Sequence, residues 1–443
     1  QIAGWGGTTG NFNKITQKSS NTLKLTGITS DSVIVEPGKT LELSGTVTVN
    51  DYLVMNGTCS LLSSLTGTGT LSSSTGNIVV NHTNIENITA TGGASFVAND
   101  SYDLGGNSGW TINSTSAKEY YWVGDGGSWN DGSHWALTSG GSGSGCVPTF
   151  QDNVYFDANS FSTTGQTVSI SGSVADCKSM DWTGVLNAPT FDISNNLNVY
   201  GSFTLIDNMT LSGGSSISFK STNTGNTIAF SGHSSARSIY FNGVGGEWDM
   251  QDSIILTSPF NNFSVSAGTL NTAGYNIECG ILSFSGTSVV NLLSSNIGIK
   301  RQGTISSTNV NPGTSTIYLR GEYNNALSTS VDLYNVVNVS TTSFQIAGWG
   351  GTTGNFNKIT QKGDYFKLNS LTADSIIVDP GKTLQLDGTV TVNDYVSLSG
   401  TPSSPTYLSG AGSSDSLLVA SGNLCFEYLR VSDVNAGGGA TFS

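Results

Sequence analysis

The chain has 443 residues, 57 of them glycine, with only 10% charged and 36% hydrophobic residues and a formal net charge of -14. That charge leaves no basic surface for nucleic acid or anionic lipid, and no apolar run reaches the roughly 18 residues of a membrane-spanning helix. The hydrophobic content exceeds that of a disordered chain, while abundant Ser, Thr, Asn and Gly disfavour helices, so the composition points to an all-β protein.

The run from Gln1 to Lys18 returns unchanged as Gln345 to Lys362. The likeness continues, with Leu25 to Leu41 matched by Leu368 to Leu384, and Asn77 to Phe96 resembling Asn423 to Phe442. A period this long implies a tandem multi-domain array rather than a short-repeat solenoid. The expected organisation is a first block at residues 1–118, a second and larger block at 119–344, and the start of the next repeat at 345–443, equivalent to 1–97. On this reading Ser443 falls inside a unit, and any signal or anchor lies outside the segment.

From Leu23 the chain alternates in short apolar pairs: Leu23/Leu25, Val33/Val35, Leu41/Leu43, Val47/Val49 and Leu53/Met55. One residue between two inward side chains marks a strand with one buried face. Pro37-Gly38, Gly45, Asn50-Asp51 and Asn56-Gly57 supply turn signals between the pairs. A second series runs from Val168/Ile170 through Phe203/Leu205, Ile217/Phe219, Ile228/Phe230, Ile239/Phe241 and Trp248/Met250 to Leu282/Phe284. Three pairs in about 22 to 30 residues predict blocks of parallel β-solenoid in tandem, right-handed β-helix-like, with coils stacked at the inter-strand spacing of about 4.8 Å. An array of antiparallel β-sandwiches is the competing architecture, though it calls for longer strands and a fixed strand count.

Trp5-x-Gly7-x-x-Gly10-x-Phe12-Asn13 has the same spacing as Trp122-x-Gly124-x-x-Gly127-x-Trp129-Asn130, and the motif recurs from Trp349 to Asn357. Each instance precedes a new strand series. It therefore reads as an aromatic loop that caps a solenoid block. A second reading is a carbohydrate-binding platform built on Trp5, Trp122, Trp129, Trp135 and Trp349.

The stretch Tyr121-Trp-Val-Gly-Asp-Gly-Gly-Ser-Trp-Asn-Asp-Gly-Ser-His-Trp135, with Asp152-Asn-Val-Tyr-Phe-Asp-Ala-Asn-Ser160 after it, resembles a block of large repetitive secreted bacterial surface proteins. These are adhesin-like and filament-like proteins of the Bacteroidota type, and some phage tail fibres. The resemblance spans about Tyr120 to Phe284. It implies an extracellular, cell-surface location and a structural or adhesive role, with neighbouring repeats, identical chains or surface glycans as partners. It carries over no catalytic site.

Chemistry is sparse. The five cysteines, Cys59, Cys146, Cys177, Cys279 and Cys425, include no CxxC pair. Zinc is not expected, and the one pairing suggested for a secreted protein is Cys146 with Cys177. The histidines His82, His134 and His233 form no cluster at metal-ligand spacing. Gly124-Asp-Gly-Gly127 precedes no helix, so phosphate cradling has no support. Glu247, Asp249 and Asp252 alternate around Trp248 and are the best carboxylates for glycoside chemistry or Ca²⁺, with only Lys220 and Arg237 near them in sequence. A solvated face accounts for them more simply. The expectation is therefore a non-enzymatic chain without cofactor or metal.

Overall fold

In the computed structural model, residues 1–4, 10–321, 325–348 and 354–443 are described. Alternation of apolar and polar residues places one face of each short strand inward, and stacking such strands buries a continuous core. The result is an all-β chain of about 21 parallel solenoid turns. The strand pairs whose register is described are parallel, and the isolated bridges Thr58–Leu61 and Thr401–Ser404 are antiparallel. This pairing excludes the sandwich array, whose sheets are antiparallel.

The chain divides into two units. The first comprises residues 1–118, 131–135 and 143–147, and the second comprises 119–130, 136–142 and 148–443. In the first unit, Leu23, Leu41, Leu65 and Ile85 stack in register as one column, and Ile15, Val33 and Leu53 form another. In the second unit the columns run Val154, Met180, Phe203, Ile228, then Leu197, Ile217, Ile239, Phe263, Leu282. Leu41, Val47, Phe219, Phe230 and Phe241 are all essentially inaccessible. Each such burial stabilises by roughly 1.5 to 3 kcal/mol.

Some coils are tighter than the spacing of apolar pairs predicts, and others fall within it. Lys24 meets Glu42 one coil on, 18 residues away, and Asn198 meets Asp176 across 22. Some strands bend across a corner without a loop, which shortens the circuit. Thr46–Met55 is one such strand of 10 residues, and the register with its neighbour slips between Ser30 and Ser32. Asn50-Asp51 therefore sits inside a bulged strand and not in the turn its residue types suggest. Turn glycines do occur where expected: Gly38 has φ +73°, and a Cβ there would lie 2.4 Å from Leu61.

The repeated sequence repeats its fold. The same register slip recurs between Ala373 and Ser375. Asn393 bonds Asp374 at 2.9 Å as Asn50 bonds Asp31 at 2.9 Å. His82 and its counterpart Tyr428 both adopt left-handed backbone, with φ 47° and 51°. A 22-stranded sheet runs from Ala175–Cys177 to Asn435–Gly438 without a break at Gln345. Asn325–Thr329 pairs with Ser343–Gly348, and Leu333–Asn338 pairs with Asn355–Gln361.

Candidate functional site

The boundary tryptophans come first. Strand alternation in Glu119–Trp122 turns Tyr120 and Trp122 inward, leaving them 2% and 0% exposed. The Trp122 indole N–H donates to the Asp125 carbonyl at 2.6 Å, and the Asp125 carboxylate in turn accepts from the Ser162 backbone at 2.6 Å. Phe156 lies between Trp122, at 5.8 Å, and Trp182, which stacks on it at 3.6 Å and 4°. Phe191 closes the group, 5.1 Å from Trp182 and 6.4 Å from Trp129. Trp129 and Trp135 are 1% and 0% exposed. A sugar ring needs an open indole face, and these three have none, so the carbohydrate-platform expectation is corrected for Trp122, Trp129 and Trp135. Trp5 and Trp349 lie outside the described residues.

The disulfide expectation is also corrected. Cys146 is bonded to Cys59, 87 residues earlier, with both in the first unit. Cys177 occupies an inward position of Ala175–Cys177 and is a buried free thiol, its pKa pushed well up by desolvation. Strand alternation aims it into the core, whereas Cys146 sits in a half-buried loop. Cys279 is likewise a buried thiol and Cys425 an exposed one.

The carboxylates are already engaged. Asn271 donates to Glu247 at 2.9 Å and to Asp249 at 2.6 Å. Asp252 accepts the backbone N–H groups of Phe230 at 2.9 Å and Gly232 at 3.1 Å, closing a turn. Asn271 begins an amide ladder unnoticed in the sequence: Asn291 donates to Asn271 at 2.6 Å, and Asn311 to Asn291. Its signal was the 20-residue recurrence of Asn beside an inward Leu or Val. Stacked amides of this kind lock coil to coil.

Arg237 departs most from its expected surroundings. It is 1% exposed, and its guanidinium donates to the Ser212 and Gly213 carbonyls, while Nε and Nη1 lack a partner. Desolvation lowers its pKa to about 10.

Two hollows remain. One, of about 290 Å³, is lined by Asn325, Gln345, Tyr365 and Lys367. Three of its polar groups are committed, with Lys367 paired to Asp387 at 2.6 Å, Tyr365 bonded to Gln385 and Asn325 donating to Thr342 at 2.8 Å. The other, of about 320 Å³, is apolar and lined by Leu408, Leu417, Phe426, Leu429, Val431 and Phe442. Among the described residues no group of three or more His, Cys, Asp or Glu stands ready for a metal. His233 hydrogen-bonds the Ile206 carbonyl at 2.7 Å, and His134 ends a short 3-10 turn. Among the described residues no helix is long and apolar enough to cross a membrane. Comparison with protein-family models, with curated proteins and with solved structures finds no match for this chain.

Proposed function

We propose that this chain is a structural repeat segment of a large extracellular surface protein, of the adhesin or filament kind, and that it does not catalyse. The observation that carries the reading is the junction at Gln345. The first coil of the second copy is hydrogen-bonded directly onto the last coil of the preceding block, Val336 against Ile359 and Ala326 against Gln345. Units joined in this way lengthen a protein by nearest-neighbour stacking alone.

Other features support the same role. A Cys59–Cys146 disulfide suits an oxidising compartment outside the cytosol. The boundary tryptophans serve a core, and the best carboxylates serve turns and ladders. Its partners are then neighbouring repeats of the same kind, and a sparsely charged exterior limits dependence on salt.

The test is electron microscopy of chains carrying two, three and four units of residues 1–344. A constant axial increment per added unit is expected, each coil contributing about 4.8 Å. Particles without axial order that turn over a polysaccharide would replace the structural reading with an enzymatic one.

A further inference from the structure

The Cys59–Cys146 bond joins two compact elements that lie outside the strand ladders. Cys59 stands in a tight turn in which Thr58 and Leu61 exchange backbone hydrogen bonds at 3.0 Å. The turn hangs on the next coil, with Gly57 donating to the Asn81 carbonyl and Ser63 to the His82 carbonyl, each at 3.0 Å. Cys146 belongs to the other element. The chain leaves the first unit after Lys118 and returns to it twice, at residues 131–135 and 143–147. These two returning segments are bonded to each other, Ser144 donating to the Trp135 carbonyl at 2.7 Å and Gly145 to the Gly132 carbonyl at 3.1 Å. Glycine permits the approach, since a Cβ on Gly132 would lie 2.3 Å from Gly145, and one on Gly143 2.1 Å from Ser133.

The same turn forms in the second copy without a cysteine. Thr401 and Ser404 exchange bonds at 2.9 and 3.1 Å, Gly400 donates to Glu427 at 2.8 Å and Thr406 to Tyr428 at 3.0 Å, and Pro402 stands where the first copy has Cys59. The sulfur therefore answers a need other than the folding of its turn. What it changes is the path of a load. Coil-to-coil hydrogen bonds of a solenoid run along its axis, so a pulled end coil peels away a few bonds at a time, held only by its nearest neighbour. A covalent bond does not peel. Tension that reaches Cys59 passes through the sulfur pair to Cys146, 87 residues on, and bypasses every strand from Ser63–Gly67 to Thr111–Asn113.

We propose that Cys59–Cys146 is a tension clamp, which takes the coils between the two cysteines out of the load path and gives the first block two extensible lengths set by redox state. The second copy, with Pro402, has no clamp at this turn. The withheld length is that of 87 extended residues, about 300 Å at roughly 3.4 Å each. Both cysteines are half-buried, within reach of a small dithiol. Reduction breaks the S–S bond with two electrons and two protons from the dithiol, leaving two thiols on the chain and a cyclic disulfide on the reagent. The proposal rests on the reading of the chain as a structural segment, since only such a segment carries load.

The test is single-molecule stretching of the full chain between handles on its two termini, oxidised and then in dithiothreitol. The oxidised chain should gain about 300 Å less contour length than the reduced one. Cys59→Ser with Cys146→Ser should behave as the reduced parent in either buffer. Circular dichroism of the parent, folded first and then reduced, should keep its strand signal. Three results would overturn the clamp. Equal contour gains with and without dithiothreitol would mean that no length is withheld. Extra length released only at forces above those that unravel the other coils would mean that the enclosed coils need no shielding. Loss of strand signal on reduction, before any load, would mean that the bond serves folding. Any of these beside a constant axial increment per unit in images would remove the clamp and leave the structural role standing.

Discussion

Asp415 closes a turn that is three residues longer than its counterpart between Gly67 and Thr70. Its carboxylate accepts backbone N–H groups from Gly388 at 2.7 Å and Gly412 at 2.6 Å, and these bonds hold its pKa below the usual 3.8. A carboxylate depressed in the folded state contributes stability above its unfolded pKa and loses it as pH falls through the folded value. Asp415→Asn should therefore melt lower than the parent at pH 7, with the gap closing below about pH 3.8. Thermal melts at pH 7 and pH 3 check this; a gap that is constant or widens in acid would exclude the mechanism. Arg237 behaves in the opposite sense, since its cation is held in the core with two donors unpaired. Replacing a poorly compensated buried charge by an apolar side chain of similar length is neutral or stabilising by about 1 to 4 kcal/mol. Arg237→Met is expected to unfold at or above the parent's denaturant midpoint, and a loss greater than about 2 kcal/mol would mean that the bonds to the Ser212 and Gly213 carbonyls outweigh desolvation.

At the scale of elements, the aromatic boundary and the coil circuit differ in how they could be read. A tryptophan motif at the head of each strand series predicts a cap, yet the 22-stranded sheet continues past Gln345 with no end to cap there, while the packing of Trp122, Phe156, Trp182 and Phe191 follows from inward positions along the alternating chain. Trp182→Ala should cost about 3 to 5 kcal/mol of the second unit's stability, the usual range for a buried aromatic truncation. Urea titration followed by circular dichroism measures it, and a change under about 1 kcal/mol would show that the stack is ornamental to the core. The bulge at Asn50-Asp51 was not legible, because Asn and Asp favour turns and bulged strands alike, and only the neighbour's register decides. The Cys59–Cys146 pair was hidden for a related reason. Its partners are 87 residues apart, and spatial closeness there depends on how many coils lie between them.

At the scale of the whole molecule, solenoid stacking predicts that complete coils are removable units. Leu270 stands over Val290, and Asn271 over Asn291. Deleting Asn271 to Val290 joins Leu270 to Asn291 in register, and the shortened chain should fold with a cooperative melt. Deleting only Asn271 to Gly280 breaks the register and should leave an aggregating or protease-sensitive product. Equal behaviour of the two deletions in limited proteolysis would refute nearest-neighbour stacking as the organising principle. The sequence alone determined the all-β class, the parallel solenoid, the inward faces and the duplication, because a strand's period of two and an 18-residue identity are properties of the chain in one dimension. Only the tertiary structure decided the length of each circuit, the partner of Cys146, the burial of Arg237 and the three tryptophans, and the amide ladder from Asn271 to Asn311. Each of these depends on which residues lie one coil apart, and that spacing varies with every corner, bulge and turn.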